Sequence, residues 1–173
     1  MPPAHAIRGF FGVTLSVEGY GRTAELHAKT FGFPPSREEG NRFRYESGVG
    51  APGAVVDLLC LPYATPGHVA VGTVHHVAFR TAGPEEQVAW RNKLVDLGYN
   101  VTPVIDRIYF RSIYFREPGG VLYEIATDPP GFSVDEHQDQ LGTRLVLPSW
   151  LEPHRSGLEN VLPPVRIPVH QGR

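Results

Sequence analysis

Two histidines stand side by side in "GTVHHVAFR", residues 72–80, and a glutamate interrupts the later apolar run "GGVLYEIAT", residues 119–127. Side chains alternate along a strand, so His76, Ala78 and Arg80 share one face while His75, Val77 and Phe79 share the other. Glu124 shares its face with Leu122 and Ala126. A carboxylate in the middle of such a run must be paired, protonated or bound to a metal, because burying it alone is costly. One imidazole and one carboxylate on rigid neighbouring strands suit a divalent cation. Two histidines and one carboxylate around open positions make the facial triad of non-haem Fe(II) sites, which leaves room for substrate and dioxygen together. This chain shows two of those three groups. Plainer roles compete for each residue. A histidine at a strand start commonly serves structure or surface, Tyr109 and Tyr114 suit any strand, and Arg107 and Arg111 suit a solvated or salt-bridged surface.

Whether His76 and Glu124 meet depends on the elements that carry them. Residues 8–18 read as a strand, since Phe11, Val13, Leu15 and Val17 alternate with small or polar residues. In "GRTAELHAKTFGF" the period changes: Ala24, Ala28 and Phe31 fall on one helical face, and Gly32 is placed to end the helix. Strand-like runs follow at 41–47 and 53–61, with room for one more short strand. The second half repeats the order. "TVHHVAFRT" reads as a strand. "PEEQVAWRNKLVDLG" reads as a helix that opens on Pro84 and two acidic residues, with Trp90, Leu94 and Leu97 on one face and Gly98 after it. "SIYFREPGGVLYEIATD" reads as two strands about a turn, and "NVTPVID" adds a candidate third. Two βαβββ modules about sixty residues apart account for this order. They imply an α+β fold whose curved mixed sheets form a cup. Residues 1–130 read as one domain, with modules at 7–62 and 72–128. Residues 131–173 read as a C-terminal arm that Trp150, Leu151 and several prolines would pack over it. In such a unit the first and last strands can be neighbours, which would bring His76 to Glu124.

Composition narrows the partners. The 173 residues can bury one substantial core, and 16 Lys plus Arg against 18 Asp plus Glu leave a formal charge of −2 with no basic run to track a phosphate backbone. Nucleic acid and membrane are therefore not expected as partners, and with no signal-like or membrane-length apolar stretch the expected compartment is the cytoplasm. The one cysteine, Cys60, excludes an internal disulfide and a cysteine-cluster metal site, so any metal ligands must be histidine and carboxylate.

At "GTVHHVAFR", "VTPVIDRIYFRSIYFREPGGVLYEIATDPPGF" and "LVLPSWLEPHR" the chain strongly resembles the C-terminal half of bacterial ring-cleaving dioxygenases of the hydroquinone and chlorohydroquinone type. These belong to the vicinal oxygen chelate superfamily, with glyoxalase I, fosfomycin-resistance proteins and extradiol catechol dioxygenases. The resemblance runs from about Ile7 to the tail. It implies a metal-dependent enzyme, with Fe(II) or alternatively Mn(II), that inserts both atoms of dioxygen into a small aromatic ring. Position by position it makes His76 and Glu124 the metal ligands, Tyr114 an acid/base or orienting tyrosine, and His75 and Arg107 residues near the substrate. A regular pleat would turn His75 away from that site.

One departure accompanies the match. The family's remaining histidine ligand comes from an N-terminal half that this chain does not include. In the first module, overlaying "FGVTL" on "HHVAF" and "GAVVDLL" on "GGVLYEI" puts Gly12 at the place of His76 and Leu58 at the place of Glu124, with Asp57 beside it. That module is then blank for metal unless Asp57 turns inward, and neither His5 nor His27 is a good substitute. The missing ligand would come from a homodimer or from a separate protein equivalent to the N-terminal half. The alternative is a non-catalytic small-molecule or metal-binding protein of the same superfamily. A glyoxalase- or thiol-transferase-like reaction ranks last, because it needs a fuller ligand set.

Overall fold

The computed structural model describes residues 3–7 and 9–164. The alternation of Val13, Leu15 and Val17 produces β1 (Gly12–Val17). Helix α1 (Gly21–Glu25) follows and widens into a π-helical turn over Leu26–Phe31, stopped where Gly32 takes φ 72°, the left-handed backbone that glycine adopts at little cost. The room left for a further strand is filled by β2 (Pro35–Glu39), ahead of β3 (Arg42–Glu46) and β4 (Val55–Cys60). The second unit comprises β5 (Val77–Thr81), α2 (Pro84–Asp96), β6 (Ile105–Asp106), β7 (Arg111–Arg116) and β8 (Leu122–Thr127). The expected α+β class with two βαβββ units is what the chain forms. Each unit has its own four-stranded mixed sheet, ordered β1-β4-β3-β2 and β5-β8-β7-β6. In both, the first and last strands are parallel neighbours.

Two expectations need correction. The strand expected over "TVHHVAFRT" begins only at Val77, so both histidines lie in the segment that leads into β5. Leu97, expected on the buried face of α2, is the residue at which the helix ends and is 55% exposed, whereas Leu94 is fully buried. The helical period no longer governs a residue beyond the last turn.

The two sheets share one core. Leu15, Val17, Tyr45, Val56 and Leu58 from the first unit join Ile113, Phe115, Tyr123 and Ile125 from the second, with Leu26 and Leu94 supplied by the helices. The π-helical turn supplies the aromatic filling: Phe31 lies 5.1 Å from Phe79 and 5.6 Å from Trp90, ring centre to ring centre. Gln87, wholly buried on α2, donates to the carbonyls of Arg111 and Ile125 at 2.7 Å and so fastens the helix to its sheet. The "EPGG" turn does more than reverse the chain. Glu117, buried, accepts from the amides of Gly119 and Val121 and from Thr23 Oγ1 of the first unit at 2.6 Å. A Cβ on Gly119 would lie 2.7 Å from Val17 Cγ1, so glycine is what lets the two units approach there.

Because side chains alternate, the residues between the core positions lie on the opposite face of each sheet: Thr14, Arg44 and Asp57 in the first unit, Ala78, Tyr114 and Glu124 in the second. Beyond β8, the described part of the C-terminal segment holds short 3₁₀ turns and helix α3 (Arg155–Val161). Trp150 is 65% exposed, contrary to its expected packing, and residues 165–173 lie outside the described part.

Candidate metal centre

The parallel pairing of β5 with β8 sets Ala78 opposite Glu124, and two residues before Ala78, in the segment that leads into β5, comes His76. Its Nε2 lies 2.7 Å from Glu124 Oε2. Glu124 is 3% exposed, so the carboxylate is held at the floor of the open sheet face with its second oxygen also engaged. Tyr114, opposite Glu124 across the β7–β8 ladder, donates from its hydroxyl to Glu124 Oε1 at 2.7 Å. Ser112 Oγ donates to the same oxygen. The anomaly of a mid-strand carboxylate is thus resolved by two hydroxyl donors and an imidazole.

Arg107 and His75 reach the same place. The Arg107 guanidinium lies over the Tyr114 ring, 5.4 Å from its centre, with Nη2 at 3.3 Å from the phenolic oxygen. His75, expected to turn away, has Nδ1 2.9 Å from His76 Nδ1, the two rings edge to face at 5.2 Å. The pleat argument fails here because the strand has not yet begun at residue 75. All five residues singled out in the sequence therefore converge. Ser112 was missed: a serine in a strand is unremarkable by type, and only its place two residues before Tyr114, on the same face, could have flagged it.

His76 Nε2 and Glu124 Oε2 are the donor atoms able to hold a cation, and imidazole with carboxylate is a donor set that divalent first-row metals accept. They are two donors only. Among the described residues no group of three or more His, Cys, Asp and Glu is placed to hold a metal.

The first unit shows what becomes of the same place without a histidine. Thr14 pairs with Asp57 as Ala78 pairs with Glu124, and Arg44 pairs with Asp57 as Tyr114 pairs with Glu124. Asp57, not Leu58, is therefore the counterpart of Glu124, which corrects the overlay by one residue. Leu58 is fully buried in the core, as Ile125 is in the second unit. Asp57 does face outward, but it is taken. Arg44 donates Nε to Oδ1 at 2.7 Å and Nη2 to Oδ2 at 3.0 Å, and Arg42 donates Nη1 to Oδ2 at 3.0 Å. Bonding to Arg44 first, then to Arg42, holds the Asp57 carboxyl below its usual range. Gly12, the counterpart of His76, cannot be replaced by a ligand, since a Cβ there would lie 2.7 Å from the Val55 carbonyl oxygen and 2.8 Å from Val55 Cβ. Gly12→Ala is expected to force β1 from β4 and to lower stability by about 1–3 kcal/mol in urea unfolding. His27, the other histidine considered for the metal, is fully buried in the core, with Nε2 2.9 Å from the Tyr123 hydroxyl.

Paired βαβββ units, each with its first and last strands adjacent, define a glyoxalase-type fold, and the meeting of His76 with Glu124 in the second unit gives it a candidate metal-binding face. Residues 9–125 match the model of the Glyoxalase/Bleomycin resistance protein/Dioxygenase superfamily, and the chain belongs to that superfamily. It is 46% identical over 165 residues to MhqO of Bacillus subtilis (strain 168), provisionally named a ring-cleaving dioxygenase, covering 95% of this chain and 52% of that protein. It is 34% identical over 157 residues to the chlorohydroquinone/hydroquinone 1,2-dioxygenase of Sphingobium indicum, covering 88% of this chain and 48% of that protein. The chain thus spans about half the length of the curated relatives it matches. Among solved structures, a provisionally named dioxygenase from Bacillus subtilis aligns with TM-score 0.86 and 46% identity over 93% of this chain and 51% of that one. A fosfomycin resistance protein, FosX of Listeria monocytogenes, complexed with Mn(II), aligns with TM-score 0.53 and 21% identity over 69% of this chain and 90% of that one, a likeness of fold alone.

Proposed function

We propose that this chain forms part of a metal-dependent ring-cleaving dioxygenase acting on hydroquinone- or catechol-type aromatics, with His76 and Glu124 as two ligands to Fe(II) or Mn(II). The observation that carries the reading is the meeting of His76 Nε2 and Glu124 Oε2 at 2.7 Å, with Tyr114, Ser112, Arg107 and His75 gathered around them. Relatives whose names give hydroquinone or ring-cleaving dioxygenase activity support the substrate class. The metal, when bound, supplies Lewis acidity toward the substrate hydroxyls and the redox chemistry that dioxygen needs. Ser112 and Tyr114 fix Glu124 by its Oε1, which leaves Oε2 free to ligate. With a cation on Nε2, the His76 hydrogen would sit on Nδ1, where His75 Nδ1 at 2.9 Å can accept it, so His75 would hold the ligating tautomer. Tyr114 carries a proton at its hydroxyl oxygen, on the same face as the two candidate ligands, and the Arg107 guanidinium beside that oxygen would help to orient it toward a substrate.

We propose that the third ligand lies outside these residues, on a second copy in a homodimer or on protein equivalent to the rest of the relatives' length. We also read residues 1–130 as one domain, 131–173 as its arm, and the cytoplasm as the compartment. The two-donor count favours a second reading, a member of the superfamily that binds a small molecule or a metal without turnover. Oxygen uptake with hydroquinone or catechol, after anaerobic loading with Fe(II), separates the two. The expected result is uptake by the completed assembly that His76→Ala removes. No uptake with any partner, while the ring compound still binds, would favour the binding protein.

A further inference from the structure

The Arg107 side chain leaves a turn whose backbone is strained. Ile108 has φ 72°, and among the described residues it is the one non-glycine in the left-handed region, which a β-branched side chain resists. Local bonds shape the turn: Ile108 N–H donates to Asp106 Oδ1 at 2.8 Å, and Arg107 N–H to the Phe110 carbonyl at 2.9 Å. The rest of the restraint comes from beyond β8. Gly131 N–H donates to the Tyr109 carbonyl at 2.8 Å, the Phe132 ring stacks on the Tyr109 ring at 5.0 Å and 23°, and the Tyr109 hydroxyl donates to Asp135 Oδ2 at 2.9 Å. That carboxylate pushes the Tyr109 phenol up, so it remains a protonated donor. None of the contacts from beyond β8 involves Arg107, yet Arg107 and Tyr109 are the two neighbours of the strained residue.

We propose that residues 131–135 act as a clamp on Tyr109 that holds the Ile108 turn in its strained form, and that Tyr109 and Asp135 are thereby positioning residues for the Arg107 guanidinium over Tyr114. The purpose given to that guanidinium rests on the function proposed above; the mechanical link does not. Without the clamp, Ile108 returns to ordinary backbone, and the short lever from Cα of residue 107 swings the guanidinium away from the ring. Residues 131–135 thus act on Arg107 through Tyr109, with no hydrogen bond of their own to His76, Tyr114 or Glu124 among the described residues.

The test is NMR on the metal-free chain with ¹⁵N-labelled arginine, the Arg107 side-chain resonance being identified by its loss in Arg107→Lys. In the unchanged protein the ring current of Tyr114 displaces that resonance. Phe132→Ala combined with Asp135→Asn is expected to return it most of the way to the value of a free arginine, while the amide resonances of Tyr114 and Glu124 stay native. Adding Ile108→Gly, which removes the penalty at φ 72°, is expected to restore at least half of the lost displacement. A resonance unmoved by the double variant, or one that Ile108→Gly leaves unrestored, overturns the proposal. No turnover is measured, so failure of the dioxygenase reading would leave this result standing.

Discussion

Glu124→Gln is expected to reduce affinity for Fe(II) or Mn(II) on the order of a hundredfold or more, with little change in fold. The amide oxygen can keep the hydrogen bonds from Ser112 and Tyr114 that now reach Oε1. The amide nitrogen then faces His76 Nε2, where it offers hydrogens instead of a lone pair. The substitution therefore removes the ligand and keeps its shape. His76→Ala should have a comparable effect. Ser112→Ala and Tyr114→Phe, which only loosen the carboxylate, should each cost about tenfold. Anaerobic competition against a chromogenic chelator reads all four on one scale, with the chain alone and with a completing partner. Binding by Glu124→Gln equal to that of the unchanged chain would remove the metal from this face and the proposed function with it.

His27 carries the second large effect, on stability in acid. Burial among Phe31, Phe33, Tyr45, Phe79 and Tyr123 pushes its imidazole down to about 4. The folded chain thus keeps His27 neutral where the unfolded chain, with an ordinary histidine near 6.5, already binds a proton. Above about pH 6.5 both forms are neutral and His27 leaves stability independent of pH. As the pH falls from about 6.5 towards 4, the unfolded state gains the proton alone, and stability drops by about 1.4 kcal/mol per pH unit, roughly 3 kcal/mol in all. Below about 4 the loss levels off. Paired carboxylates such as Asp57 add their own loss at lower pH, so the diagnostic quantity is the difference from His27→Gln. That variant should be less stable at pH 7, because Tyr123 loses its partner, but its urea-unfolding free energy should fall less steeply between pH 6.5 and 4. Parallel curves for the two proteins would show that His27 does not titrate as its burial requires.

The elements and the pairing of His76 with Glu124 were legible because two periods, 2 and 3.6, alternate cleanly along the chain, and because a charged residue inside an apolar run has few excuses. What escaped was finer than an element. A strand's first residue depends on its ladder, and β5 begins one residue after His76, which is why His75 could join the site against the pleat. The overlay of the two units slipped by one because "GAVVDLL" and "GGVLYEI" look alike in composition. The rule that a carboxylate must share the parity of its counterpart would have selected Asp57 over Leu58. Ser112 carried no anomaly of its own. Leu97 kept the helical period in sequence but sat past the residue where the helix stops.

The arginine pair on Asp57 has a consequence for the molecule without metal. In the second unit Glu124 is held by two hydroxyls and an imidazole; in the first, Asp57 has a counterion that is covalently tethered, as two guanidinium groups carried on β3 of the same sheet. No chelator can strip that counterion and no wrong metal can displace it. The first unit thus carries its own permanent counter-charge, and it is docked through Thr23, Phe31 and Val17 against the second. Whatever the ion supply, the charge on Asp57 stays balanced.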